Sequence, residues 1–154
     1  MSSIKRILRQ NEISFGYRIG YLFNHFAGPV YKASSAELGI QRPEFAALFC
    51  TAHLSAATAT DVVTLTGIPK NSISRAVARL IGSGLLVRRA HKTDGRRAIL
   101  EMTSDGRRIY ESILPLFKAR QDGMMDVLTV AERAEFSRLL NKLVERDDEW
   151  AQDT

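Results

Sequence analysis

Cysteine is all but missing from this sequence: Cys50 is the single one among 154 residues. That excludes an internal disulfide and any multi-cysteine zinc site, suits a reducing compartment, and leaves stability to packing. Histidine is also sparse, at positions 25, 53 and 91. None accompanies a G-x-S-x-G, a Gly-rich phosphate loop or a carboxylate pair, so no catalytic constellation can be assembled, and neither an enzyme nor a cofactor is expected. Long apolar runs are lacking too. Nothing reaches the roughly 18 residues of a membrane span, and MSSIKRILRQNEIS at the N-terminus lacks the apolar core and small-residue cleavage site of a signal peptide. The expected location is the cytoplasm, with no membrane partner.

With 45% hydrophobic and 25% charged residues, the composition is that of one ordinary globular domain able to bury a core. Its charge is uneven. Residues 67–108 hold ten Lys or Arg against three Asp or Glu, a net of +7, whereas residues 121–154 hold four against nine, a net of −5. A basic middle third is the footprint expected of a nucleic-acid surface, although a merely solvated basic face carries the same signal.

The apolar positions Phe15, Ile19, Leu22, Phe26 and Val30 recur at spacings of three and four, which predicts an amphipathic helix from Ile13 to about Ala33, with Gly28-Pro29 as a kink point. Pro43 opens a second helix over roughly 43–54. A capping box at Thr58 and Asp61 starts a short third one that stops at Gly67, and Pro69 precedes a fourth over about 70–82. Leu85–Ala90 and Ala98–Met102 are rich in aliphatic residues and flank Asp94-Gly95, a turn signal, so they read as a β-hairpin with a basic tip. A long helix follows from Ser104 to about Met125, with Pro115 as a kink point. A second capping box at Thr129 and Glu132 opens the last helix, whose stripe runs through Phe136, Leu139, Leu140, Leu143 and Trp150.

On a helical wheel the helix over 70–82 separates cleanly. Ile73, Val77 and Leu80 fall within roughly 60° of one another and form a buried seam, while Asn71, Ser72, Arg75, Ala78, Arg79 and Gly82 cover the opposite side. Ala78 and Gly82 keep that side low. Lys70, Asn71, Ser72, Ser74, Arg75 and Arg79 supply donors and acceptors of the reach needed for base edges and phosphates in a major groove. No acid appears among them, as it would on a helix built only for solubility. The preceding helix, the turn at Gly67 and this helix make a helix-turn-helix. The hairpin becomes a wing, whose Arg88, Arg89, Lys92, Arg96 and Arg97 would reach an adjacent minor groove. The fold class expected is mainly α with a small β wing.

These residues resemble the multiple antibiotic resistance regulator (MarR) family of winged helix-turn-helix transcription factors. The resemblance is densest in DVVTLTGIPKNSISRAVARLIGSGLLVRR, residues 61–89, and in TDGRRAILEMTSDG, residues 93–106. The second segment is similar to the family's wing signature, with Asp94, Arg96, Met102-Thr103 and Gly106 at its marked positions; by that likeness Arg96 enters the minor groove and Asp94 helps hold the wing. The resemblance implies a single domain over 1–154. A winged-helix lobe spans 43–103, and a helical dimerisation lobe comprises 1–38 and 104–154. It also implies a homodimer on a palindromic operator of double-stranded DNA, most simply a repressor. The aromatic and aliphatic stripes of the terminal helices agree, since a small winged helix alone would leave them uncovered; plain intramolecular core is the other reading of the same residues.

Family members often bind a small aromatic or phenolic effector between the dimerisation helices and the DNA-binding lobe. Arg18, Tyr21, His25 and His53 are the candidates here, against the plainer reading of solvated helix residues. Some relatives sense oxidants through a cysteine early in the first helix. This sequence has none there, and Cys50 in AALFCTAHL reads as a buried structural thiol, with redox sensing as the alternative. Cys50 and His53 would supply half a metal site, but further ligands are not evident and no metal is expected. A winged-helix module that binds protein and not DNA is the remaining alternative.

Overall fold

The computed structural model describes residues 3–90 and 98–147. The wing-tip residues His91, Lys92, Asp94, Arg96 and Arg97, and Trp150, lie outside the described residues. The element order is α1 (Ser3–Ile7), α2 (Ser14–Leu38), α3 (Arg42–His53), α4 (Ala59–Thr66), α5 (Lys70–Gly82), β1 (Leu86–Ala90), β2 (Ala98–Met102), α6 (Ser104–Met125) and α7 (Val130–Val144). The chain is thus mostly helical with one two-stranded antiparallel sheet. It divides into two compact units, 1–117 and 118–154, with the division inside α6.

Local sequence signals set the element ends. Thr58 caps α4 reciprocally with Asp61: the Thr58 amide donates to Asp61 Oδ2 at 2.7 Å, and the Asp61 amide donates to Thr58 Oγ1 at 3.2 Å. Gly67 closes the helix in the left-handed region, at a φ of 62°, where a Cβ would be strained. Thr129 and Glu132 repeat the box at the start of α7. Two boundaries differ from expectation. One helical turn, α1, precedes the predicted first helix, and α2 continues past Ala33 to Leu38 before Gly39 ends it at a φ of 68°. The extension is held by packing, because Ser34 is buried and its hydroxyl donates to the Ile40 carbonyl at 2.8 Å. Both α2 and α6 run on through their internal prolines, Pro29 and Pro115.

In the first unit the core gathers side chains from every helix from α2 to α6 and from both strands. Leu48, Ile73, Leu80, Leu86 and Ile113 are its largest fully buried members, each worth about 1.5–3 kcal/mol of apolar burial. Phe45 anchors an aromatic group, its ring 4.7 Å from that of Phe117 and 5.8 Å from that of Tyr110. Elsewhere α2 is far less covered: Phe15, Tyr17, Ile19, Leu22 and Phe23 are all exposed. In the second unit Val127, Val130, Leu139, Leu140 and Leu143 are exposed too. Among the described residues no helix is long and apolar enough to cross a membrane.

Candidate nucleic-acid interface

The helix-turn-helix is built by α4, α5 and the turn between them. Ile68 in that turn is buried, which fixes the angle at which α5 leaves. Pro69 precedes α5 and its carbonyl accepts from the amides of Ser72 and Ile73. The buried seam of α5 consists of Ile73, Ala76, Val77 and Leu80, the three residues read from the wheel plus an alanine beside them. Lys70, Asn71, Ser74, Arg75, Ala78, Arg79 and Gly82 are exposed and Ser72 is half-buried. The helix itself contains no acid, so near its N-terminus the positive end of its dipole and the Lys70 and Arg75 cations reinforce one another.

Two arginines of the reading differ in their surroundings. Arg75 makes no hydrogen bond or ion pair with any described residue and extends into solvent. Arg79 is held from below: its Nε donates to Glu44 Oε1 at 2.6 Å, and its Nη2 donates to the same oxygen. The Arg79 side chain is nonetheless 56% exposed, whereas that of Glu44, on α3, is 3% exposed. Sequence reasoning did not single out Glu44. A carboxylate inside the apolar run PEFAALFC is the signal that was available, because a buried acid requires a cationic partner.

The wing pairs β1 and β2 in register from Leu86 opposite Met102 to Ala90 opposite Ala98. Leu86 and Leu100 are buried on its inner face, and Arg88 and Arg89 are exposed. Arg89 carries a neighbour of opposite charge, since its Nε donates to Glu101 Oε2 at 3.2 Å; both side chains are solvated, and such a pair contributes little to stability. Thr103 then ties the sheet to α6. Its hydroxyl donates to the Gly84 carbonyl at 2.7 Å and accepts from the Gly106 amide at 3.0 Å. A Cβ at Gly106 would run into the carbonyl oxygen of Leu85. The Met-Thr and Gly positions of the wing signature are therefore joints of the hairpin.

The residues proposed for an effector are not drawn together by shared partners. Arg18 lies over the Phe15 ring, 4.7 Å from its centroid, and donates to the Ser14 carbonyl. Tyr21 and His25 stack along α2 with ring centroids 3.9 Å apart. His53 instead pairs through Nε2 with the Tyr110 hydroxyl at 3.1 Å and packs on Phe49. Burial pushes the Tyr110 hydroxyl pKa up, with Arg107 opposing. Cys50 is buried, and that burial, reinforced by the Asp61 carboxylate, raises its thiol pKa. The thiol is thus the reverse of a low-pKa sensor. Among the described residues no three His, Cys, Asp or Glu side chains gather as a metal site would require.

Residues 38–97 match the sequence model of the MarR family. Over 70 residues the chain is 34% identical to the HTH-type transcriptional regulator BilQ of Clostridium symbiosum; the match covers 46% of this chain and spans about half, 49%, of that relative. Over 127 residues it is 23% identical to the HTH-type transcriptional repressor Rv2887 of Mycobacterium tuberculosis, covering 82% of this chain and 88% of that one. Among solved structures it is similar to Bordetella bronchiseptica BpsR, described for the regulation of its DNA binding by 6-hydroxynicotinic acid. There the TM-score is 0.68 at 22% identity, covering 84% of this chain and 91% of that chain, a likeness of fold.

Proposed function

We propose that the chain is a member of the MarR family of helix-turn-helix transcriptional regulators, whose sequence model its residues 38–97 match, and that it is a homodimeric repressor on a palindromic operator, released by a small aromatic or phenolic effector. It is a DNA-binding regulator and not an enzyme. The observation that carries the specific reading is the acid-free outer face of α5, where Lys70, Asn71, Ser74, Arg75 and Arg79 stand exposed over a fully buried seam. Arg75 and Arg79 read bases, Lys70 and the wing cations hold phosphates, and Arg96 of the wing enters the minor groove.

Dimerisation is supported by the apolar side chains left exposed on α2 and, separately, on α7, since contiguous exposed apolar surface commonly marks an interface. Paired reading heads would then sit about one DNA turn, roughly 34 Å, apart. The effector reading rests on the family resemblance, with Arg18, Tyr21, His25 and His53 as candidate contacts and an aromatic carboxylate as the chemistry. The working place of such a regulator is the cytoplasm, on the nucleoid.

Selection of bound sequences from random duplex DNA tests the reading, followed by gel shifts on the enriched sequence. An inverted repeat should emerge, and Arg75→Ala should cost about 1–3 kcal/mol on it, the worth of a bidentate base contact. Affinity should fall by orders of magnitude between roughly 50 and 200 mM salt. Binding indifferent to salt, or no enriched sequence, would favour a protein partner instead.

A further inference from the structure

The pairing of Arg79 with Glu44 has a directional consequence. A guanidinium offers two forked edges, one formed by Nε and Nη2, the other by Nη1 and Nη2. Glu44 occupies the first edge through a single oxygen, Oε1. Nη1 has no partner among the described residues, and more than half of the Arg79 side chain faces solvent. The outer edge is therefore open toward solvent, and it is oriented by a carboxylate that is itself buried in the fold. Glu44 sits in α3 directly ahead of Phe45, Ala46 and Ala47, all buried, and its second oxygen, Oε2, is buried without a hydrogen-bond partner among the described residues.

A buried carboxylate with one oxygen unsatisfied is costly, and packed hydrophobic residues of similar size commonly serve stability as well or better. Stability therefore gives no reason for Glu44. Orientation does: an unconstrained arginine must lose its rotamer freedom before it forms a bidentate contact. Resting on the DNA-binding reading above, we propose that Glu44 is a positioning residue for sequence readout. It never touches DNA. From inside the fold it presents the outer fork of Arg79 to a base edge bearing two acceptors, as guanine does in the major groove, and so converts a cation that would attract any duplex into one that discriminates.

Removing the Glu44 charge leaves Arg79 a fuller, freer cation, so attraction to arbitrary DNA holds or rises while discrimination falls. A defect in folding or in helix placement lowers both together.

The test is a double-mutant cycle on the full-length protein with Glu44→Gln, Arg79→Gln and the pair, measuring affinity for the selected operator and for random duplex at one salt concentration. Glu44→Gln is expected to lower the ratio of the two about tenfold without weakening binding to random duplex. Arg79→Gln is expected to lower the ratio similarly, and within that background Glu44→Gln should change it less than twofold. The inference is overturned if Glu44→Gln leaves the ratio within twofold of the parent, if it weakens both duplexes equally, or if the two losses multiply. Should Glu44→Gln prove too unstable to assay, Arg79→Lys carries the same test: it keeps the charge but loses the second fork, so the ratio should drop about tenfold, and an unchanged ratio overturns the inference. A parent protein that shows no preference for any sequence would instead refute the operator reading itself.

Discussion

The backbone N–H of Leu100 donates to the carbonyl of Ala57 at 2.8 Å, and both residues are buried. This single bond joins the inner strand of the wing to the residue immediately ahead of the α4 cap. The hairpin is thereby fixed against the helix-turn-helix at one end, while Thr103 and Gly106 fix it at the other. Wing and α5 move as neighbours of one core.

At the Thr103 end, Gly106→Ala should destabilise the protein by about 1–3 kcal/mol, the usual cost of overpacking. The new methyl would collide with the Leu85 carbonyl and come within 2.9 Å of Met102 Cγ. Urea unfolding midpoints of the variant and its parent measure this. Equal midpoints would mean that the strand end shifts aside freely.

At the Ala57 end, Thr58→Ala removes the hydroxyl side of the α4 capping box, the bond it accepts from the Asp61 amide and the one it donates to Asp61 Oδ2, and leaves only the residue-58 amide to pair with that carboxylate. The expected loss is about 0.5–2 kcal/mol, with a local signature beyond the global one. Because Ala57 precedes the cap, the Leu100 amide should lose hydrogen-exchange protection more than amides within α6. Uniform loss across the chain would contradict a local coupling between the cap and the wing at this point.

Cys50 should react with thiol reagents far more slowly in the native protein than after unfolding, and peroxide should leave DNA binding unchanged. Its raised pKa also makes a prediction about pH. The unfolded thiol ionises at its ordinary value while the native one, held up by burial, remains protonated. The stabilisation is therefore complete below that value and is lost as pH rises through the higher native one. Stability differences between the parent and Cys50→Ala, followed by urea titration across the alkaline range, should narrow in that direction. A constant difference would refute it.

Phe15, 78% exposed on α2, should be covered in the dimer. Phe15→Glu is expected to weaken self-association at least tenfold in analytical ultracentrifugation, while its helical circular dichroism stays near that of the parent at concentrations where both are assembled. Unchanged association would place the interface elsewhere.

Much of the helix-turn-helix was legible because its signals are local. Thr58 with Asp61, Gly67, Pro69 and the seam Ile73, Val77 and Leu80 all act within one or two turns of themselves, and each sits where the spacing put it. The strands were read to within a residue from their apolar runs. What escaped depends on residues distant in sequence. Glu44 and Arg79 are 35 positions apart, and no periodicity links an acid of one helix to a cation of another. The end of α2 at Leu38 is by contrast a local signal that the apolar spacing alone did not use: Gly39 closes the helix in the left-handed region, its amide donating to the Ser35 carbonyl and that of Ile40 to the Ser34 carbonyl. The wing tip, where Lys92, Asp94, Arg96 and Arg97 were placed, lies outside the described residues.

The absence of carboxylates on α5 means that, Arg79 aside, its cations are balanced by dissolved anions, as a duplex is by dissolved cations. Both clouds disperse when two such macromolecules meet, so the proposed grip on DNA would weaken as the ionic strength of the surroundings rises. A cell that concentrates its salts under osmotic stress would loosen this protein from its sites with no effector present at all.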